Sequence, residues 1–102
     1  MTESKTNDII EMRENASQAV ELLKAMSNEN RLLILCHLGE KEMSVSELNA
    51  EINLSQSSLS QHLARLRQDG LVQTRRESQT IYYSVVNPSV GKLIALLQNE
   101  FC

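Results

Sequence analysis

No apolar run in this chain of 102 residues approaches the roughly 20 residues that a membrane-spanning helix needs. The first ten residues, MTESKTNDII, hold no apolar signal core, which points to a cytoplasmic protein without a membrane partner. Proline occurs once and glycine three times, too few for long loops. There are no internal repeats and no low-complexity segments, and the length is that of one domain, residues 1–102. No C-x-x-C pair occurs: Cys36 and Cys102 lie far apart. In a cytoplasmic protein two such thiols are ordinarily packing residues and not a structural disulfide. No histidine and aspartate are spaced for a catalytic triad, so a cysteine-nucleophile enzyme is disfavoured. No cofactor is expected.

The most informative stretch runs from Asn53 to Gly70, NLSQSSLSQHLARLRQDG. Leu59, Leu63 and Leu66 recur at three- and four-residue steps and so share one helical face. Ser55 is a suitable N-cap, and Gly70 follows the last turn, where a left-handed cap favours glycine. The opposite face carries Gln56, Ser57, Ser60, Gln61 and Arg65 and no acid. An ordinary solvated face mixes Glu with Lys. Amides and hydroxyls can donate to and accept from base edges without repelling phosphate. The plainer alternative is a polar surface helix with no partner.

Charge distribution favours the first reading. The formal net charge is −3. Between Leu54 and Arg76 the charged residues are Arg65, Arg67, Asp69, Arg75 and Arg76, a net +3, which leaves −6 elsewhere. A field this uneven can draw one face onto phosphate while the other repels it.

The remaining segments build a frame around that helix. Ile9, Met12, Ala16, Ala19, Val20, Leu23 and Met26 predict a helix from Asp8, which with Glu11 can cap its start, to about Met26. Ile10 and Leu22 widen its apolar surface beyond one stripe, as at a dimer seam. Arg31 to Leu38, RLLILCHL, predicts a short central buried helix ending near Gly39, with a buried strand as the competing reading. Ser44 and Glu47 form a capping box ahead of a helix to about Ile52 that buries Val45, Leu48 and Ile52. This helix, a short turn and the polar-faced helix make a helix-turn-helix. Leu71–Arg76 and Thr80–Val85 then predict a β-hairpin with Glu77, Ser78 and Gln79 at its tip. Asn87 and Pro88 restart a helix, whose stripe is Val90, Leu93, Ile94, Leu97 and Phe101, with Leu96 beside it. So apolar a helix needs a partner, and the first helix is the natural candidate, within the chain and across a two-fold axis.

The runs LLKAMSNENRLLILCHL, SVSELNAEINLSQSSLSQHLARLRQDGLV and RRESQTIYYSV resemble the ArsR/SmtB group of bacterial winged-helix regulators, from about Ala19 to the end. The resemblance implies a mainly α fold with a β-hairpin wing: a winged helix-turn-helix of four helices, two strands and a fifth helix. It implies a homodimer through the first and last helices, on a palindromic double-stranded DNA operator. The fourth helix would enter the major groove. Gln56, Ser57, Ser60 and Gln61 would face base edges, with His62 at the margin. Arg65 and Arg67 on the helix, and Arg75 and Arg76 on the wing, would contact phosphate. Gln79 would reach the minor groove.

The group's thiolate metal site is a Cys-x-Cys whose matching positions here are Ser44 and Ser46, and a serine hydroxyl is a poor soft-metal ligand. Its other common site needs Asp, His and Glu on the last helix, which here has Lys92, Gln98, Asn99 and Glu100 and no histidine. No metal is therefore expected. Cys36 and Cys102 match the positions used by a metal-free branch, which includes sulfide- and persulfide-responsive repressors and regulators of the haemolysin-activator type. The resemblance implies that these two thiols are a sensing pair, joined by a disulfide or polysulfide bridge, with reactive sulfur or an oxidant as inducer. Both lie toward helix C-termini, where the dipole disfavours a thiolate; His37 and Lys41 can offset this at Cys36. A virulence activator or anti-silencer, and a winged-helix interaction module without sensing, are the alternatives.

Overall fold

The computed structural model describes residues 5–101, so Cys102 lies outside the described residues. The elements in order are α1 (Lys5–Met26), α2 (Glu29–Leu38), β1 (Met43–Ser44), α3 (Val45–Glu51), α4 (Gln56–Gln68), β2 (Val72–Glu77), β3 (Thr80–Val85) and α5 (Pro88–Phe101). Capping chemistry sets most boundaries. The Asn28 side chain accepts from the backbone of Asn30 at 3.0 Å and Arg31 at 3.1 Å and starts α2, which is a helix and not the competing strand. At α3 the capping box closes in both directions: Ser44 Oγ accepts from Glu47 N at 3.2 Å, and Glu47 Oε1 accepts from Ser44 N at 2.9 Å. Asn87 Oδ1 accepts from Ser89 N at 2.9 Å ahead of α5.

Three expectations need correction. The first helix begins at Lys5, so Asp8 sits in its first turn instead of capping it; there its charge still complements the helix dipole. A short strand, β1, precedes α3 and pairs antiparallel with β3, Met43 opposite Tyr83, giving the sheet order β1-β3-β2. Two residues are too few to show an alternating pattern. The hairpin tip is also tighter than expected. Glu77 belongs to β2 and pairs with Thr80, leaving Ser78 and Gln79 as a two-residue turn with Ser78 at φ 60°, the positive φ that tight hairpins require.

The core forms where α2, α3, α4, α5 and the sheet meet. Its fully buried large residues are Ile34, Leu35, Leu38, Leu48, Leu59, Leu63, Leu66, Leu71 and Val90. The three α4 leucines are all 0% exposed. Each such burial is worth about 2 kcal/mol, so turning α4 about its axis is strongly opposed. RLLILCHL is less uniformly buried than its composition implies: Leu33 is 41% exposed, because a helix on a core edge keeps one face outward.

The first and last helices keep large apolar residues outside. Ile9, Ile10, Met12, Val20 and Leu23 on α1 are exposed, as are Leu96 and Phe101 on α5. Within the chain α1 packs on α2, while α5 packs on α2 and β3. Among the described residues, Leu96 and Phe101 of α5 stay exposed with α1 in place.

The exit from α4 aims the wing. Leu71 N donates to Leu66 O at 2.9 Å and Gly70 N to Arg67 O at 3.1 Å, the paired bonds of a Schellman cap. Gly70 sits at φ +78°, which a β-carbon penalises. Gly70→Ala is expected to lower unfolding free energy by about 1 kcal/mol, read as a lower urea midpoint at unchanged slope. An unchanged midpoint would remove this role.

Candidate nucleic-acid interface

With Leu59, Leu63 and Leu66 inward, α4 must present its other face to solvent. Gln56, Ser57, Ser60, Gln61, Arg65 and Arg67 are exposed, and His62 is half-buried at the margin. The helix begins cleanly because Ser55 Oγ accepts from Ser58 N at 3.1 Å. No acid occurs between Ser55 and Gln68. Asn49 fixes the turn from α3, its Nδ2 donating to Leu54 O at 2.8 Å. That residue was not singled out from sequence, because it lies inside α3 and its partner is five positions further on.

The four arginines near this face differ in their partners. Arg65 Nε donates to Asp69 Oδ2 at 2.8 Å, one turn further on. Arg67 and Arg76 are exposed, and among the described residues neither has a carboxylate partner. Arg75 is held most firmly. Its Nε and Nη2 donate to Glu42 Oε1 at 3.0 and 2.6 Å, and its Nη1 donates to Glu77 Oε2 at 2.9 Å. The guanidinium lies 4.9 Å from the centre of the Tyr82 ring, in cation–π range. The hydrogen bond from Arg75 holds the Glu42 carboxyl below its usual range. Hydrogen bonds to Glu42 and then Glu77 raise the Arg75 pKa further. Alternation along β2 puts Arg75 and Glu77 on one side, a pairing the sequence offers. Glu42 is 33 positions from Arg75, and nothing local marks it. Gln79 is exposed in the hairpin turn beyond these residues.

Of the predicted thiol site, the described residues include Cys36. Cys36 is half-buried near the end of α2. Its carbonyl accepts from Gln98 Nε2 of α5 at 2.9 Å, a direct link between the two helices. A groove beside it is lined by Cys36, His37, Lys41, Lys92 and Gln98, among others. The Cys36–Cys102 pairing involves a residue outside the described set. Among the described residues no cluster of three or more His, Cys, Asp or Glu could hold a metal ion, and no helix is long and apolar enough to cross a membrane.

Comparison with known proteins gives this geometry a family. Residues 28–74 match the model of the bacterial regulatory proteins of the arsR family. The chain is 54% identical over 92 residues to the transcriptional activator HlyU of Vibrio cholerae, covering 90% of this chain and 85% of that protein. The solved structure of reduced HlyU from that organism superposes with a TM-score of 0.87, covering 90% of this chain and 97% of that one. The HTH-type transcriptional regulator YgaV of Escherichia coli is 46% identical over 96 residues, covering 93% of this chain and 97% of YgaV. A homodimeric winged helix-turn-helix DNA-binding domain from Mycobacterium bovis is 30% identical with a TM-score of 0.76, covering 87% of this chain and 82% of that one. With its winged helix-turn-helix and these relatives, the chain belongs to the ArsR family of bacterial regulators, which act on transcription and are not enzymes.

Proposed function

We propose that the chain is a cytoplasmic, homodimeric repressor that binds a palindromic DNA operator and releases it when Cys36 and Cys102 are oxidised or persulfidated. The observation that carries the DNA reading is the acid-free outward face of α4, held there by three fully buried leucines. Gln56, Ser57, Ser60 and Gln61 read base edges, with His62 at the border of that surface. Arg67 and Arg76 take phosphates, and Arg65 does so from its pair with Asp69. Gln79 at the wing tip reaches the minor groove. The exposed apolar residues of α1 and α5 are covered by a second copy; a relative of the same fold is homodimeric. The dimer sets two α4 helices about 34 Å apart, one turn of duplex.

The switch reading is supported by the position of Cys36 at the contact between α2 and α5. A relative of high identity is named for its reduced state. The chemistry balances without a metal: two protein thiols and one small persulfide give a protein disulfide, the small thiol and hydrogen sulfide, the persulfide accepting two electrons and the two thiol protons. The groove beside Cys36, about 830 Å³, admits a small sulfur donor. A bridge tethers α2 to α5, and α5 sets the spacing of the reading helices. A second reading reverses the sign of regulation, since the 54% identical relative is named an activator.

Two measurements test this. Duplexes selected from a random pool are bound by the reduced protein and, after sodium tetrasulfide treatment, about 5- to 150-fold more weakly; Cys36→Ser and Cys102→Ser abolish the response. Equal affinity in both states ends the switch reading and leaves the DNA reading standing. Arg67→Gln reduces the slope of log affinity against log salt by about 0.9 per site, and an unchanged slope removes Arg67 from the phosphate contacts.

A further inference from the structure

Arg75 differs from the other basic residues of this face in having every guanidinium nitrogen engaged. Nε and Nη2 meet Glu42, Nη1 meets Glu77, and Cζ lies over the Tyr82 ring, 4.9 Å from its centre. A single exposed ion pair contributes little, but forked geometry and a network of charges are the exceptions to that rule. A guanidinium suits the arrangement because its planar fork matches carboxylates and stacks on rings at once.

The strand order gives this cluster its reach. β3 lies between β1 and β2, and Tyr82 of β3 pairs with Arg75 on one side and Ser44 on the other. Glu42 immediately precedes β1, which runs directly into α3. The Glu42–Arg75 link therefore spans the sheet over Tyr82 and joins the wing to the segment that starts the helix-turn-helix. β1 itself contributes only two paired residues, so the side-chain link supplements a short backbone ladder.

We propose that Arg75 is a positioning residue for DNA binding and not a phosphate contact: clamped by Glu42 and Glu77 across Tyr82, it fixes the angle of the wing to the helix-turn-helix. Arg76 and Gln79 then meet the same duplex that α4 reads. This rests on the preceding reading that α4 and the wing engage DNA. A phosphate-binding Arg75 must first leave two carboxylates, and removing Glu42 would then strengthen binding. A positioning Arg75 gives the opposite sign.

The test compares wild type, Arg75→Gln, Glu42→Gln, the double variant and Arg76→Gln, on one selected duplex across salt concentrations. Hydrogen exchange of the wing amides, without DNA, is measured alongside. Positioning predicts that Arg75→Gln and Glu42→Gln each weaken binding roughly fivefold, and that the double variant is no weaker than either. It also predicts an unchanged salt slope for both, faster wing exchange in Glu42→Gln, and a slope reduced by about 0.9 per site only in Arg76→Gln. Tighter binding by Glu42→Gln, or a reduced slope in Arg75→Gln, overturns the proposal. If wild type binds no duplex, the DNA reading has failed and exchange alone decides the clamp: unaltered wing protection in Glu42→Gln overturns it.

Discussion

Burial of Leu59, Leu63 and Leu66 is the constraint on which the rest depends. These side chains lock α4 into the core, and a helix fixed on one face has no choice about what it shows on the other. What it shows is amides, hydroxyls and arginines. The same leucines bring α3 and the sheet alongside α4, so the wing leaves the Schellman cap at Gly70 on a defined path. The interface is thus specified from inside the protein: apolar packing decides which polar residues become available to a partner.

Electrostatics then resolves an apparent conflict. A chain with net charge −3 is a poor polyanion ligand if its charge is averaged. Three acids are taken up by arginines of the basic region. Asp69 sits at the end of α4 beside Arg65, and Glu42 and Glu77 are consumed by Arg75. Of the four arginines in this region, Arg67 and Arg76 face outward without a carboxylate partner among the described residues. Charge counting along the sequence found the basic region, but only the folded arrangement separates arginines held within the protein from those left for a partner.

The local chemistry of the sequence was legible wherever one element carried its own signal. The Ser44–Glu47 capping box, the Ser55 cap, the three-leucine face and the Asn87–Pro88 start all act within a few residues, and the helices form where these place them. β1 was invisible because Met43 and Ser44 are too short to carry a period and become a strand only when β3 lies beside them. The Arg75–Glu42 pair was invisible for a related reason, since it exists only through the strand order. The face of α1 was legible as excess apolar surface, and Ile9, Ile10, Met12, Val20 and Leu23 are exposed in the chain. The proposed thiol pair illustrates the limit in another way. Resemblance named both cysteines, while the described residues bring only Cys36 into view, at a joint between α2 and α5.

Dimer, duplex and thiol switch are separable parts of one account, and all of them presuppose that α4 is the reading element. Amide chemical shifts followed while a selected palindromic duplex is titrated into the reduced protein test that claim most directly. The account predicts that the largest changes fall on Gln56 to Gln61 and on the wing around Arg76 and Gln79, with the α1 and α5 seam little altered. Large shifts confined to α1 and α5, with α4 silent, would contradict it.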